Sequence, residues 1–560
     1  MMFSKARKAE SRAPSSAWRP AALILLVSCW LALVGNLPLW RTVWPLPEFA
    51  GWRGVLFAAG MFIWIVAAQT MLLSLVAWKR VLKPVLLLML LIAAVNSYFM
   101  WQYGVVIDAT MMANVANTDV REVRDLLSWP MALSLGVIAI LPGWWLLRQP
   151  VVTRRWAPQA LRNLVGAVVA LLVVVGVTLL AFQDLASLMR NHKQTRYLVN
   201  PFNTLYASGK LASDRLLHVS RTLQPIGLDA SLGPTHALTQ RAPLVVLVVG
   251  ETARAANFSL GGYGRDTNPQ LSRLAAEGPA LTYYTDVRSC GTNTQASLPC
   301  MFSHLGKEAF ASTRQPYENL LDVLQRAGLA VLWIDNQSGC KGLCDRVAQV
   351  NTFGQKTPGL CADGECFDEV LLSDLDQRIA ALDPQRRARG VVLVLHQMGS
   401  HGPAYFKRVP SGFKKFLPEC TSNVLQSCPR EHLVNAYDNT IVYTDHVLAG
   451  LARWLADKAA TSAHDTAMLY VSDHGESLGE NNLYLHGLPY ALAPSTQTHV
   501  PMLSWISSAM AQRLNLRKDC LRQQAGSALS HDNLFHAMLG LADVQTSLYR
   551  KELDWFAACR

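Results

Sequence analysis

The chain has 560 residues, of which 51% are hydrophobic and 16% charged, and its formal net charge is +12. This length exceeds that of one ordinary domain, and the hydrophobic residues are concentrated in the first third, which excludes a protein surrounded by water throughout. The positive charge does not require a nucleic acid partner. Part of it lies between apolar stretches, and the remainder suits a domain that works against an anionic membrane surface.

Five stretches meet the bilayer criterion of about 20 predominantly apolar residues. They cover residues 20–39, 54–78, 84–103, 130–147 and 161–182. The first is long and lacks a clear cleavage site, so we interpret it as a membrane span and not as a cleaved signal peptide. We therefore expect residues 1–184 to form a five-helix transmembrane domain.

Lysine and arginine residues alternate between the two sides of these spans. The basic flanks contain Lys5, Arg7, Lys8, Arg12 and Arg19 before the first span, Lys79, Arg80 and Lys83 between spans two and three, and Arg148, Arg154, Arg155 and Arg162 between spans four and five. The positive-inside rule predicts a cytoplasmic N-terminus in a multi-pass protein of the bacterial inner membrane. An odd number of spans then places everything after about residue 185 in the periplasm.

Cysteine usage favours the same topology. Ten of the eleven cysteines follow the spans, and Cys29 alone lies within one. Four pairs are close in sequence: Cys290 with Cys300, Cys340 with Cys344, Cys361 with Cys366, and Cys420 with Cys428. In an oxidising compartment these spacings favour disulfides over a zinc site, for which no matched second half exists. Whether Cys520 and Cys559 form a fifth bridge stays open.

The remainder of the chain divides into a linker and a large domain. Residues 108–127 form an external segment long enough for a helix, which either contacts lipid or packs under the large domain. Residues 185–241 are polar and indicate bridging helices and turns. From residue 242 to 560, apolar strand candidates alternate with helical stretches, the pattern of an α/β domain with a mostly parallel central sheet. The strand candidates are Pro243–Gly250, Ala330–Ile334, Val391–Leu395 and Ala467–Val471.

Two of these strands end in residues that could hold a metal ion. Asp473 and His474 follow the run Ala467–Val471, and Glu251 follows Leu244–Gly250. In α/β folds the carboxyl ends of strands gather the ligands of one site. Each residue also has an ordinary alternative, since Asp473 or Glu251 could simply stabilise a helix N-terminus. The pairing of the two strand ends favours the metal.

A short loop between Cys290 and Cys300 supplies a candidate nucleophile. It is rich in small and hydroxyl residues, and its two cysteines could close it covalently. If Thr294 faces a divalent ion, its hydroxyl becomes a usable nucleophile near neutral pH. If it also opens a helix, the backbone amides there would receive a phosphoryl group. The alternative is that the hydroxyl is only a helix N-cap.

Together these residues resemble the membrane-bound phosphoethanolamine transferases that modify lipid A, including the mobile colistin-resistance enzymes, in the alkaline phosphatase and sulfatase superfamily. The resemblance covers nearly the whole chain. Its motifs are Val249–Arg254, the Cys290–Cys300 loop, Leu395–Pro403, Tyr470–Glu480 and Tyr484–Gly487.

The resemblance implies a zinc ion held by four residues, with Thr294 as the nucleophile. These ligands are Glu251, Thr294, Asp473 and His474. His401 and His486 match positions that bind phosphoryl oxygens or a second zinc ion, and Thr292 and Lys341 match positions near the phosphoethanolamine group. The cysteines around Lys341 depart from the colistin-resistance members. Glu476 could orient a ligand or stabilise a helix, and we interpret His396 as structural.

The implied reaction moves phosphoethanolamine from phosphatidylethanolamine to a lipid A phosphate through a covalent intermediate on Thr294, which would confer polymyxin and colistin resistance. Membrane lipids are then the partners, with no nucleic acid and no obligate protein partner. Core sugars of lipopolysaccharide or periplasmic glucans are alternative acceptors.

Three other classes compete with this interpretation. A sulfatase would need a Cys/Ser-x-Pro-x-Arg motif, but Ser297-Leu298-Pro299-Cys300-Met301 ends without the arginine. A membrane sensor with a degenerate hydrolase domain should have lost some of the ligands, and none is lost. A phosphoglycerol transferase of the lipoteichoic acid synthase kind shares the five-span plan. The cysteine pairs and Gln397-Met398-Gly399 fit the phosphoethanolamine transferases better.

Overall fold

The computed structural model describes residues 17–118, 120–152, 154–219, 222–238, 241–278, 280–362, 364–461 and 464–560. They divide into two compact units. The helical unit contains the described residues up to Gln102, together with Val106–Asp108 and Leu127–Ala207. The sheet unit contains Tyr103–Val105, Ala109–Leu126 and Ser208–Arg560.

The described residues up to Val219 are mostly helical. In chain order the helices are α1 (Pro20–Leu33), α2 (Leu37–Val43), α3 (Gly51–Leu75), α4 (Leu82–Tyr103), α5 (Ala109–Ala116), α6 (Val120–Leu126), α7 (Trp129–Ser134), α8 (Leu141–Arg148), α9 (Trp156–Leu180), α10 (Phe182–Asn191) and α11 (Phe202–Val219). A π-helical stretch, Leu135–Ile140, joins α7 to α8. Among the described residues, α3, α4, α9 and the stretch Trp129–Arg148 are long and apolar enough to cross a membrane, and the bent pair α1–α2 gives a fifth candidate.

The first predicted span is broken between α1 and α2, which meet at 47°. Pro38 occupies the first turn of α2, where a missing N–H costs nothing but a helix cannot continue through it. Asn36 at the break is fully buried, and its amide donates to the carbonyl oxygens of Leu31 at 2.8 Å and Asn200 at 2.9 Å. Its own oxygen accepts from the Asn200 amide at 2.8 Å. The polar groups freed by the bend are therefore satisfied inside the helical unit.

The sheet unit contains a seven-stranded sheet. Its strands are β1 (Ala242–Gly250), β2 (Leu281–Tyr284), β3 (Ala330–Asp335), β4 (Ala348–Asn351), β5 (Val391–His396), β6 (His464–Ser472) and β7 (Met502–Ile506). The order is β2-β7-β6-β1-β5-β3-β4, and only β7 runs antiparallel to its neighbours. The four predicted strands are the four central ones. With the apolar helices, this confirms the predicted fold class.

The sequence did not predict the shorter strands, because β2, β4 and β7 are too short to show a clear run. Four small sheets were also missed. They pair Ser231–Leu232 with Val544–Gln545, Asp286–Arg288 with Ala528–Ser530, Cys361–Ala362 with Glu365–Cys366, and Ser477–Leu478 with Tyr484–Leu485.

The sheet unit also contains the helices that follow α11. They are α12 (Thr235–Leu238), α13 (Pro269–Glu277), α14 (Thr294–Met301), α15 (Lys307–Ser312), α16 (Leu320–Arg326), α17 (Leu375–Ala380), α18 (Pro384–Arg389), α19 (Arg430–Thr461), α20 (Ser495–Thr498), α21 (Ser508–Arg513), α22 (Lys518–Gln523) and α23 (Leu534–Leu541). The largest core joins alternate residues of the central strands to α14, α16 and α23. This packing fixes α14, which begins at Thr294, against the sheet.

The external segment 108–127 is not one helix. It forms α5 and α6, which belong to the sheet unit. The break has a local cause: the side chains of Asn117 and Thr118 bind the carbonyl oxygens of Ala113 and Asn114 at 2.8 and 2.9 Å, which ends α5. Of the two roles left open for this segment, the structure shows the packing one.

A buried ion-pair cluster anchors α6 within the sheet unit. The Arg408 side chain is 4% exposed and contacts Asp125 at 2.9 Å and Glu365 at 3.1 Å. Its Nε also donates to the carbonyl oxygen of His401 at 3.1 Å. Lys407, at 43% exposure, contacts the other oxygen of Asp125 at 2.5 Å.

Replacing Asp125 with alanine is expected to lower the free energy of unfolding by about 3 kcal/mol, because a buried guanidinium loses a partner. Lys407→Met removes a half-exposed partner of the same carboxylate and should cost less than about 1 kcal/mol. Denaturant unfolding of the purified chain in detergent, followed by tryptophan fluorescence, measures both. Equal losses in the two variants would contradict the assignment of Arg408 as the buried anchor.

Candidate active site

The site is built on the carboxyl ends of two neighbouring parallel strands. Gly250 of β1 pairs with Ser472 of β6, so the next residues, Glu251 and Asp473, emerge side by side. The amide of Asp473 donates to the carbonyl oxygen of Gly250 at 2.9 Å, which holds the two strand ends together. The side chains of Glu251, Asp473 and His474 are all fully buried. Parallel pairing therefore brings together residues that lie more than 200 positions apart.

Thr294 completes this group from the first position of α14. Its hydroxyl lies 3.1 and 3.2 Å from the two carboxylate oxygens of Glu251 and 3.5 Å from Nε2 of His474. His474 Nε2 is also 3.3 Å from Glu251 and 3.4 Å from Asp473. Asn293 acts as the N-cap, accepting from the amide of Ala296 at 2.9 Å. Thr294 thus opens the helix without being its cap, which leaves its hydroxyl free to face the carboxylates.

The backbone around Glu251 is held in an unusual conformation. Thr252 has φ +58°, a left-handed value that a β-branched residue rarely adopts. Its amide donates to Oδ1 of Asp473 at 3.1 Å, and its hydroxyl donates to Oε1 of Glu251 at 2.6 Å. Strained residues of this kind persist where the surroundings over-determine them, often at functional sites. Thr252 therefore orients both carboxylates.

The electrostatics of the group show an excess of negative charge. Burial lowers the pKa of His474, but the carboxylates of Asp473 and Glu251 outweigh burial and raise it to about 10. Burial and the charge of Glu251 raise the pKa of Asp473 to about 7. Burial also acts to raise the pKa of Glu251, but the hydrogen bond and charge of His474 leave it well below its ordinary value. A positive charge among these three side chains would relieve that excess.

The residues present fit a divalent metal ion. One ligand atom from each of Glu251, Asp473 and His474 lies within 4.8 Å of the other two. Oδ2 of Asp473 is buried and accepts no hydrogen bond from the part of the chain that the structure describes. His474 Nδ1 is 2.9 Å from the carbonyl oxygen of Gly475, which fixes the ring with Nε2 facing the carboxylates. Two carboxylates, an imidazole and a hydroxyl form a donor set suited to zinc.

His401, His486 and Glu476 lie next to this group. The ring centroids of His486 and His474 are 4.3 Å apart, and those of His486 and His401 are 6.0 Å apart. His486 Nδ1 lies 3.3 Å from Glu476, whose other carboxylate oxygen accepts from the hydroxyl of Tyr405 at 2.9 Å. Glu476 therefore orients His486 and not one of the four ligand candidates.

The pKa values of Glu476 and His486 are shifted in opposite directions. Burial raises the pKa of Glu476 to about 8. Burial, with a contribution from the charge of His474, lowers the pKa of His486 to about 3. At neutral pH these shifts favour a proton on the carboxyl of Glu476 and a neutral imidazole at His486.

Thr292 and Lys341, which were predicted to lie near the substrate, form hydrogen bonds with other parts of the chain. The hydroxyl of Thr292 is buried and donates to the carbonyl oxygen of Leu488 at 2.7 Å. Lys341, at φ +50°, donates through its ammonium to Ser338, at 2.8 Å to the hydroxyl and 3.2 Å to the carbonyl oxygen. Among the described residues, no hydrogen bond or ion pair joins Lys341 to the four ligand candidates.

The cysteines form five pairs. They are Cys290–Cys300, Cys340–Cys344, Cys361–Cys366, Cys420–Cys428 and Cys520–Cys559. Cys29 is the free cysteine of the described residues. The first pair closes the loop that carries Thr294, and the last is the one that the sequence left open.

His396 is fully buried, and its Nδ1 lies 3.0 Å from Asp335.

Three neighbours of the site were not predicted. Glu122 of α6 lies 4.0 Å from Nε2 of His401. Ser472 and His531 hydrogen-bond the loops of the site together. No sequence signal marks His531, because it lies in an ordinary polar turn far from every motif.

Comparison with known proteins agrees with this arrangement. The sulfatase family profile matches residues 243–544, and the profile described as phosphoethanolamine transferase EptA/EptB matches residues 65–216. Phosphoethanolamine transferase EptA of Salmonella typhimurium is 39% identical, over 96% of this chain and 97% of its own length. Phosphatidylethanolamine transferase Mcr-1 of Escherichia coli is 37% identical, over 94% of this chain and 95% of its own.

A solved structure extends the similarity to the whole fold. The integral membrane lipooligosaccharide phosphoethanolamine transferase A of Neisseria meningitidis matches with a TM-score of 0.90 at 36% identity, covering 96% of this chain and 98% of that one. Both the helical and the sheet unit are therefore shared with a solved relative. The chain belongs to the EptA/EptB family of phosphoethanolamine transferases.

Proposed function

We propose that this protein transfers phosphoethanolamine from phosphatidylethanolamine to a phosphate of lipid A, through a covalent intermediate on Thr294, and so confers resistance to polymyxins such as colistin. The observation that carries the proposal is the Thr294 hydroxyl, held 3.1 and 3.2 Å from Glu251 at the first position of a helix. The name of the Mcr-1 relative supports the donor. A Kdo(2)-lipid A phosphoethanolamine 7''-transferase of Escherichia coli, 27% identical over 82% of this chain, supports an acceptor of the lipid A class.

In the first step the Thr294 oxygen attacks the phosphorus of phosphatidylethanolamine. A bond forms between that oxygen and phosphorus, the bond from phosphorus to the glycerol oxygen breaks, and diacylglycerol leaves. A zinc ion held by Glu251, Thr294, Asp473 and His474 would supply the acidity that keeps the threonine oxygen deprotonated at neutral pH, its proton being released to water when the ion binds. The helix N-terminus at Thr294 favours the anionic phosphoryl group.

The leaving alkoxide needs a proton, and the pair Glu476–His486 can provide one. The proton that burial keeps on Glu476 passes to Nδ1 of His486, and the far nitrogen of the ring protonates the diacylglycerol oxygen. In the second step an acceptor phosphate oxygen attacks phosphorus, the bond to Thr294 breaks, and the acceptor's proton returns to the pair. His401, whose ring centroid is 6.0 Å from that of His486, would bind phosphoryl oxygens.

Three further assignments belong to this proposal. Thr292 and Lys341 would lie near the phosphoethanolamine group, which for Lys341 requires release from Ser338. His401 and His486 could also hold a second zinc ion. The N-terminus would be cytoplasmic, with residues 1–184 spanning the inner membrane, 185–241 as a linker, and 242–560 catalytic in the periplasm. The five cysteine pairs support an oxidising compartment for that last part.

Mass spectrometry of envelope lipids from cells that express the intact chain tests the acceptor. We expect lipid A to gain one phosphoethanolamine group, and cells that express Thr294→Ala to lack it. The core oligosaccharide and periplasmic glucan fractions from the same cells are measured in parallel. A gain confined to either of those fractions would overturn the lipid A assignment while leaving the transfer chemistry intact.

A further inference from the structure

His531 joins two of the loops that build the active site. It is 2% exposed and begins a short turn, His531–Asn533, that Ser530 caps. The backbone amide of Cys290 donates to its Nδ1 at 3.0 Å. Its Nε2 lies 3.0 Å from the carbonyl oxygen of Ser472. One ring thus connects the loop of Thr294 to the end of β6, directly before Asp473.

The two partners of His531 dictate its protonation state. A backbone amide can only donate, so Nδ1 must be unprotonated, and a carbonyl oxygen can only accept, so Nε2 must carry the proton. Burial lowers the pKa of His531 to about 4, which agrees with a neutral ring. A neutral ring that accepts at Nδ1 and donates at Nε2 therefore satisfies both loops.

Ser472 extends the connection to the third loop. Its hydroxyl accepts from the amide of Ala253 at 2.9 Å, two residues after Glu251, and donates to the carbonyl oxygen of His474 at 3.0 Å. The loops that carry Glu251, Thr294 and the pair Asp473-His474 are therefore joined through adjacent hydrogen bonds.

A shift of His531 would reach Thr294 through the segment between Cys290 and Thr294. The Ser289 hydroxyl donates to the carbonyl oxygen of Gly291 at 2.6 Å, and the Gly291 amide donates to the Ser297 hydroxyl at 2.8 Å. These bonds and the Cys290–Cys300 disulfide tie the loop to its own helix. A displacement of Cys290 would therefore move the start of α14 and not be absorbed by the loop.

We propose that His531 is a positioning residue for the transfer reaction, which holds the Thr294 loop at a fixed distance from the strand end that carries Asp473 and His474. The proposal rests on Thr294 being the nucleophile. Among the described residues, both hydrogen bonds of the His531 ring go to the backbone of Cys290 and Ser472 and not to Glu251, Thr294, Asp473 or His474. Its effect comes from geometry, since a displacement of about 1 Å at a nucleophile can cost about 100-fold in rate.

His536 provides a matched control for an ordinary buried histidine. It is 1% exposed, lies five residues further along the same segment, and its Nδ1 accepts from the amide of Arg550 at 3.1 Å. That bond connects no loop of the site. His536→Asn should therefore change stability without changing the turnover number.

The test uses the full chain in detergent micelles with short-chain phosphatidylethanolamine and measures diacylglycerol release and the phosphoethanolamine adduct on Thr294 after rapid quenching. Three variants separate the two bonds: His531→Asn keeps an acceptor near Nδ1, His531→Gln keeps a donor near Nε2, and His531→Ala keeps neither. We expect kcat to fall about 100-fold in His531→Ala with KM for the donor lipid within about twofold. His531→Asn should retain the most activity, because its acceptor still holds the amide of Cys290.

Parental kcat in both His531→Asn and His531→Gln, or an equal fall of kcat in His536→Asn, would overturn the positioning role, even if His531→Ala does not fold. A parent chain that releases diacylglycerol but never carries the adduct would overturn the covalent mechanism, and the kcat comparison would still decide the role of His531. A parent that forms the adduct at the same rate as His531→Ala would overturn the positioning role alone.

Discussion

Replacing Thr294 with alanine is expected to lower phosphoethanolamine transfer by on the order of 10⁴-fold or more, the effect seen when a covalent nucleophile is removed. The fold should survive, because the Asn293 cap and the buried apolar residues of α14, Leu298 and Met301, are unchanged. The readout is transfer from phosphatidylethanolamine by the purified chain, with the melting temperature recorded alongside. Melting temperatures within a few degrees would separate lost chemistry from lost structure.

Thr294→Ser is the control, because it keeps an oxygen at the same position. Serine should retain measurable transfer and carry the phosphoethanolamine adduct, reduced mainly by the rotational freedom that the threonine methyl group restricts. Peptide mass spectrometry of the quenched reaction detects the adduct. Transfer by Thr294→Ala within about tenfold of the parent would exclude this hydroxyl as the nucleophile.

Replacing Asp473 with asparagine is expected to remove most of the bound metal and to lower transfer by about 10³-fold, the equivalent of the several kcal/mol that a metal ion can contribute. Asparagine preserves the shape of the side chain and the oxygen that accepts from Thr252 and His474, but not the second charged oxygen. Metal analysis of the full chain by plasma mass spectrometry gives the first readout. Asp445→Asn, at a buried carboxylate that accepts from the amides of Gln270 and Leu271, is the matched control and should keep its metal.

The same variant should show opposite stability effects with and without metal. Burial and the charge of Glu251 raise the pKa of Asp473 from 3.8 to about 7, so the metal-free folded state binds this proton more tightly than the unfolded chain does. This side chain therefore favours the metal-free fold below about pH 4, and that advantage falls as the pH rises toward 7. Asparagine does not titrate, so Asp473→Asn does not lose stability in this way as the pH rises. With chelator the variant should match or exceed the parent in melting temperature at pH 7, whereas with zinc the parent should be more stable.

A parent less stable than Asp473→Asn in excess zinc at pH 7 would contradict a metal site at these residues. Equal metal content in the parent and the variant would do the same. Either result would leave the proposed role of Thr294 to be judged by its own variants.

Four adjacent strands of the sheet, β6, β1, β5 and β3, could be predicted because they are buried on both faces and appear as unbroken apolar runs. The runs at β1 and β6 show where the strands end, and parallel strands place those ends at one edge of the sheet. Glu251, Asp473 and His474 could therefore be grouped without coordinates. The Cys290–Cys300 loop offered Thr294 as a candidate nucleophile, and the resemblance to a family added His401 and His486. The structure places all three beside that group.

Other features of the structure could not be predicted, because the local sequence carries no pattern that indicates them. The amide of Cys290 and the ring of His531 are separated by 241 positions, and the pairing depends on how α14 and the turn at His531 pack on the sheet. The break in the first span and the division of residues 108–127 into α5 and α6 also depend on polar contacts that a hydrophobic pattern does not record. Lys341 was placed by resemblance, and the structure gives it a local partner in Ser338.

The sequence by itself determined the membrane spans, the parallel sheet and the strand ends that carry the carboxylates, because apolar periodicity and length follow directly from what each segment must bury. Only the tertiary structure decided which oxygen of Asp473 has no donor among the described residues, that Glu476 lies 3.3 Å from His486, and which side chains join the three loops. These features depend on distances of about 3 Å between segments that are far apart in the chain, and such distances are set by packing.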